Sequence, residues 1–95
     1  MIERHVTFDV FPEKNRDFEK LFIDEYRPAM ASMPGYVKVE LLREQNDPNH
    51  YQMVIRFDSD DSAAAWRNSS AHQALSPRLK SLYSASQLQV YDFIA

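Results

Sequence analysis

Between Arg4 and Val10 the chain alternates, with Arg4, Val6, Phe8 and Val10 on one side of an extended backbone and His5, Thr7 and Asp9 on the other. This predicts a half-buried strand that ends at Phe11-Pro12. From Asn15, a residue suited to capping a helix, the period changes. Phe18, Leu21, Phe22, Tyr26 and Met30 recur at spacings of three and four, the signature of an amphipathic helix. Pro28 falls inside that pattern, where it removes a backbone donor and crowds the preceding turn, so a kink or an early end is expected near Arg27. Met33-Pro34-Gly35 then breaks the chain with its only glycine. Alternation returns twice. Val37, Val39 and Leu41 oppose Tyr36, Lys38 and Glu40; after the polar loop 45–49, Tyr51, Met53, Ile55 and Phe57 oppose Gln52, Val54 and Arg56. The two runs pair most simply as an antiparallel hairpin.

The stretch from Phe57 to Leu79 organises the rest. Phe57 gives way to short polar and acidic residues that can accept hydrogen bonds from the free N–H groups of a starting helix, and three alanines follow. Trp66, the only tryptophan, then lies about two turns into the helix, with Ser62 at i−4 on the same face. Beyond an expected break at Ser69-Ser70 comes His72. One wall of a pocket is therefore expected to carry Ser62, Trp66 and His72. Ser70 with Gln73 resembles a capping box, and Ser76-Pro77 offers a second cap, so two or three short helical pieces are expected, with Leu75, Leu79, Leu82 and Tyr83 as their apolar stripe. Leu88 to Ile94 alternates again as a last strand.

The order β-α-β-β-α-β, without repeats, predicts a single α+β domain over residues 1–95: a ferredoxin-like antiparallel sheet with its helices on one face. The second sheet face mixes Tyr36, Leu42, Val54, Tyr91 and Phe93 with charge. That is more apolar area than a solvated face carries, and it predicts packing on a second copy of the chain.

Composition sharpens this picture in three ways. A chain of 95 residues holds one core burying roughly 60–65% of the unfolded surface, which is marginal alone and again favours a homodimer. Eleven basic against fourteen acidic residues give a net charge of −3, with no basic block to hold nucleic acid. No apolar run has the length of a membrane span and no signal-peptide core follows Met1-Ile2-Glu3-Arg4, so a cytoplasmic protein is expected. The absence of cysteine excludes disulfides, thiolate metal sites and Cys nucleophiles. The three histidines lack a ligand spacing, and helix N-terminal charge compensation explains Asp58, Asp60 and Asp61, so no metal site is expected. His5 is expected at the partner interface and His50 in solvent at the hairpin loop.

Three pieces of sequence stand out: Met33-Pro34-Gly35-Tyr36 before the second strand, Arg56-Phe57-Asp58-Ser59 leading into the helix, and Trp66 to His72 continuing through Ala74-Leu75-Ser76-Pro77-Arg78-Leu79. In these the chain resembles the antibiotic biosynthesis monooxygenase family of dimeric α+β barrels over nearly its whole length. The resemblance implies a pocket between helices and sheet, dimerisation through the sheet face, and cofactor-free oxidation by O₂ of a small aromatic, quinol or polyketide-like substrate. The family also includes haem degraders, aldehyde-phosphate isomerases and many uncharacterised small proteins. In its anthrone-oxidising members an Asn, a Trp and a Tyr border the pocket. As aligned, the Trp falls on Trp66, Ser62 stands at the Asn position and His72 at the Tyr position. The haem-degrading members use a first-strand Asn, where this chain has Arg4, and a His farther from the Trp than His72 is from Trp66. Haem binding therefore ranks below cofactor-free oxidation.

A cofactor-free oxygenase needs a substrate that can itself reduce O₂ once it has been deprotonated. His72, with an ordinary pKa of about 6.5, is the candidate base, Trp66 the stacking surface and Ser62 a hydrogen-bonding partner for a substrate oxygen. Arg4, turned into the pocket, would stabilise negative charge. Arg4, Val6, Phe8, Phe22, Tyr26, Met53, Ile55 and Tyr83 form the expected binding surface, and no cofactor is called for. The same pocket also suits a non-catalytic ligand-binding or stress-responsive dimer, and turnover in air separates the two.

Overall fold

The computed structural model describes all 95 residues. Four strands, β1 (Ile2–Val10), β2 (Tyr36–Arg43), β3 (His50–Phe57) and β4 (Tyr83–Asp92), form one antiparallel sheet in the order β2-β3-β1-β4. The helices are α1 (Asn15–Leu21), α2 (Arg27–Ala31), α3 (Asp60–Arg67) and α4 (Ser70–Lys80). They cover one face, giving the ferredoxin-like α+β arrangement read from the sequence. β3 alternates perfectly, with Tyr51, Met53, Ile55 and Phe57 buried and the residues between them half-exposed. Opposite them, Phe18, Leu21, Phe22, Tyr26 and Met30 supply the helical half of the core. No helix is long and apolar enough to cross a membrane.

Pro28 does not end the first helical segment. Phe22–Tyr26 forms a π-helical turn between α1 and α2, and the Arg27 N–H reaches back to the Phe22 carbonyl. Pro28 then sits in the first turn of α2, where a missing N–H leaves no bond unmade. The widened turn replaces the expected kink.

The second helical region is two helices, within the two or three pieces expected. Ser59 caps α3, accepting from the Ser62 N–H at 3.2 Å. Ser69, not Ser70, caps α4, accepting from the His72 N–H at 3.1 Å. Pro77 lies within α4, and no new helix starts at Ser76.

Two strand assignments also shift. β4 begins at Tyr83 rather than Leu88, because ladder bonds to β1 hold the polar run Ser84 to Gln87 without needing apolar alternation; the strand ends at Asp92. A register shift between Tyr36 and Lys38 turns Tyr36 to the helix side, where its ring lies 6.2 Å from that of Phe57. Tyr36 therefore leaves the outer face.

That outer face keeps Leu42, Tyr91 and Phe93 exposed. Among them lies a polar cluster in which the Arg56 Nε donates to Glu3 at 3.0 Å and the His5 ring hydrogen-bonds the other Glu3 oxygen at 2.8 Å. The Arg56 guanidinium also covers the Phe93 ring at 4.0 Å. His50 is not free in solvent: its ring nitrogen pairs with Asp9 at 2.9 Å, which raises its pKa.

Candidate active site

A cavity of about 150 Å³ lies between the helices and the inner sheet face. Its floor is Arg4, Val6 and Phe8 from β1 with Met53 and Ile55 from β3; Tyr83, Ser86 and Leu88 of β4 form one side. The roof is Tyr26 from the π-helical turn, Trp66 from α3, and His72, Ser76 and Leu79 from α4. A larger hollow of about 590 Å³ beside Asn15, Glu19 and Arg43 is an open surface groove with Ile23 as its one apolar lining residue. Of the two, the smaller cavity is the less open and the more apolar, and it is where Tyr26, Trp66 and His72 converge.

Three rings define the roof. The Tyr26 and Trp66 rings stand perpendicular with centroids 5.4 Å apart, Trp66 and His72 meet at 5.1 Å and 79°, and Tyr26 lies 6.3 Å from His72. Helix phasing sets this arrangement. The Ser59 cap fixes where α3 starts and hence which face presents Trp66. The Ser69 cap holds the backbone of His72 itself, in the first turn of α4.

The electrostatics of the three polar groups differ in sign and cause. Burial pushes the Tyr26 phenol up to about 12, against smaller opposing effects of the Trp66 side chain and the Arg4 charge. It is a neutral hydroxyl at pH 7. Burial also lowers the His72 pKa, reinforced by the charges of Arg4, Arg67 and Lys80; a hydrogen bond to the Arg67 backbone acts the other way. His72 is therefore a neutral imidazole at pH 7, free to accept a proton. Arg4 is lowered chiefly by desolvation, helped by Arg67, and remains a cation because guanidinium does not lose its proton in proteins.

Arg4, Val6, Phe8, Tyr26, Met53, Ile55, Trp66, His72 and Tyr83 are thus brought together. Two expected site residues lie elsewhere. Phe22 is buried behind Tyr26, 6.3 Å away and nearly parallel to it, and faces the groove with Ile23 and Leu41. The Ser62 hydroxyl points to the start of α3, donating to Asp58 Oδ1 at 2.6 Å and accepting from Ser59 Oγ at 3.1 Å. As lining residues, sequence reasoning missed Leu79, read only as part of the helical stripe, and Ser76, Ser86 and Leu88. Ser76 was within reach, being at i+4 from His72. The last two depend on the β4 register, which sets Ser86 opposite Phe8 and Leu88 opposite Val6.

Residues 1–78 match the family model described as antibiotic biosynthesis monooxygenase. No curated protein sequence matches the chain. Among solved structures it is similar to SnoaB, a cofactor-independent oxygenase from Streptomyces nogalater, at 20% identity and a TM-score of 0.89 over 99% of this chain and 93% of that one. A structure described as an antibiotic biosynthesis monooxygenase superposes at a TM-score of 0.88 and 14% identity over 100% of both chains. A conserved protein from Methanosarcina mazei Go1 gives 0.87 and 18%, over 95% of this chain and 89% of that one. At these identities the likeness is one of fold.

Proposed function

Because the chain belongs to the antibiotic biosynthesis monooxygenase family, we propose that its cavity binds a small aromatic or quinol-like substrate and oxidises it with O₂ without a cofactor. One observation carries this reading: a neutral imidazole, His72, and a buried-side cation, Arg4, face the same apolar cavity. His72 accepts the proton of a bound phenol, and Arg4 stabilises the anion left behind. The anion supplies the electrons that reduce O₂. For a phenol with a free para C–H, one oxygen atom becomes the second quinone carbonyl, and the other leaves as water with the two displaced hydrogens. Trp66 and Tyr26 hold the ring, and the neutral Tyr26 hydroxyl is available to donate a hydrogen bond.

The proposal includes a homodimer. Leu88 and Val90 of β4 face the helix side, opposite Val6 and Arg4, yet are 47% and 52% exposed because the helices stop short of them. Tyr91 and Phe93 are exposed as well. A second copy placed on the outer face and along β4 would bury both sets.

Oxygen uptake by metal-stripped protein is the test, with hydroquinones and naphthols corrected for spontaneous oxidation. Saturable uptake that falls in His72→Ala supports the reading. Absence of uptake, together with ligand-dependent quenching of Trp66 fluorescence, would replace it by a non-catalytic binding protein.

A further inference from the structure

Arg4 stands apart from every other cation in the chain. None of the seven ion pairs includes it. The other unpaired basic side chains, Lys14, Arg16, Arg27, Arg67 and Lys80, are all exposed, and the other half-buried ones, Lys38 and Arg56, have carboxylate partners. Arg4 is half-buried, lines the cavity, and has no side-chain hydrogen bond to offset its lost hydration. A desolvated cation without a partner is costly to keep, and a ligand anion arriving in the cavity would offset that cost. The remaining polar groups on the wall, Tyr26, His72, Ser76, Ser86 and Tyr83, are neutral at pH 7 or hydroxyls; no carboxylate lines the cavity, and that of Asp60 acts on Arg4 only through space, without an ion pair.

Size supplies the second constraint. A cavity of about 150 Å³ is on the order of the space that accepts one benzene ring in a protein core. Three fused rings would either displace Tyr26, Trp66 or Phe8, each buried in the core, or extend past the half-exposed Leu88 into solvent.

We infer that the ligand of this site is a single-ring aromatic acid, whose ring lies against Trp66 and Tyr26 and whose carboxylate, or equivalent fixed anion, meets Arg4. The inference rests on the functional reading above for the identity of the site, and narrows it from aromatic substrates in general to small anionic ones. Charge-assisted, two-pronged contact is what a guanidinium gives a carboxylate, and a neutral ring of the same size would leave Arg4 as it is.

The test compares benzoate with benzyl alcohol, its neutral counterpart of similar size, and with 9-anthroate, by calorimetry and by quenching of Trp66. Benzoate should bind at least about tenfold more tightly than benzyl alcohol, the discrimination expected of a charge-assisted bond. 9-Anthroate should bind more weakly than benzoate. The charge preference should vanish in Arg4→Met and survive in Arg4→Lys. Equal affinity for benzoate and benzyl alcohol, an undiminished preference in Arg4→Met, or 9-anthroate binding as tightly as benzoate would each overturn the inference. Should Arg4→Met fail to fold, the wild-type ratios decide the matter alone. Oxygen uptake with neutral naphthols is scored separately, so catalysis without charge preference, or charge preference without catalysis, tells which of the two readings has failed.

Discussion

His72 and Trp66 meet edge to face with ring centroids 5.1 Å apart, although they belong to different helices separated by a two-residue break. The contact keeps the imidazole under the roof of the cavity instead of in solvent, and its burial there is the main reason that its pKa falls.

His72→Ala is expected to lower oxidation of a phenolic substrate by about 10²-fold or more, the usual scale for a lost general base. The side chain is only half-buried, so stability should fall by no more than about 1 kcal/mol. Steady-state rates and urea midpoints on the same preparation check both; unchanged turnover removes His72 as the base.

The lowered His72 pKa also has a pH signature. Above the unfolded value of about 6.5 the ring is neutral in the folded chain and its contribution to stability is complete. As pH falls from there through the folded pKa, the unfolded chain takes up the proton first, and that contribution is lost. Unfolding midpoints between about pH 7.5 and 5 should therefore fall more steeply in the wild type than in His72→Ala. Parallel curves would show that the ring titrates as if exposed.

Gly35 has φ +82°, and a β-carbon there would lie 2.2 Å from Ser62 Oγ and 2.5 Å from Asp58 Oδ1. Gly35→Ala is expected to cost at least about 1–3 kcal/mol from backbone strain, with the clash adding to it. A denaturant midpoint within error of the wild type would mean that the junction of β2 and α3 relaxes freely.

The cap assignment can be tested by paired substitution. Ser69→Ala should cost about 1 kcal/mol, whereas Ser70→Ala should be near neutral, because Ser69 Oγ, not that of Ser70, accepts the His72 N–H. The reverse order in thermal unfolding would restore Ser70 as the cap.

Val54 is half-exposed on the outer sheet face, between His5 and Glu40 in the pairing register. Val54→Asp should yield monomers or insoluble protein if that face joins two copies. Sedimentation giving an unchanged dimer mass would move the interface elsewhere.

Period-two and helical patterns made the sheet and the first helix legible, because β3 buries one face fully, β1 buries Ile2, Phe8 and Val10 on the same side, and Phe18 to Met30 follow one helical stripe. What escaped the pattern was set by backbone accommodation. The π-helical turn before Pro28 and the bulge after Tyr36 each shift a phase that sequence spacing takes as constant. Nine of the expected site residues face one cavity, since alternation fixes the inner side of a strand. Ser62 escaped because helical spacing gives the face of a residue, whereas its short side chain bonds back to Asp58 at the helix start.

The pairing of β1 with β4 sets Ile2 opposite Asp92, and the Phe93 N–H bonds the Met1 carbonyl. β1, made before the other three strands, therefore waits for its second neighbour until the rest of the domain has left the ribosome. During that interval the hairpin and the helices can form, but the cavity lacks the side built from Tyr83, Ser86 and Leu88. A nascent chain is thus without a closed binding site until its last strand docks, and ligand can reward only the finished fold.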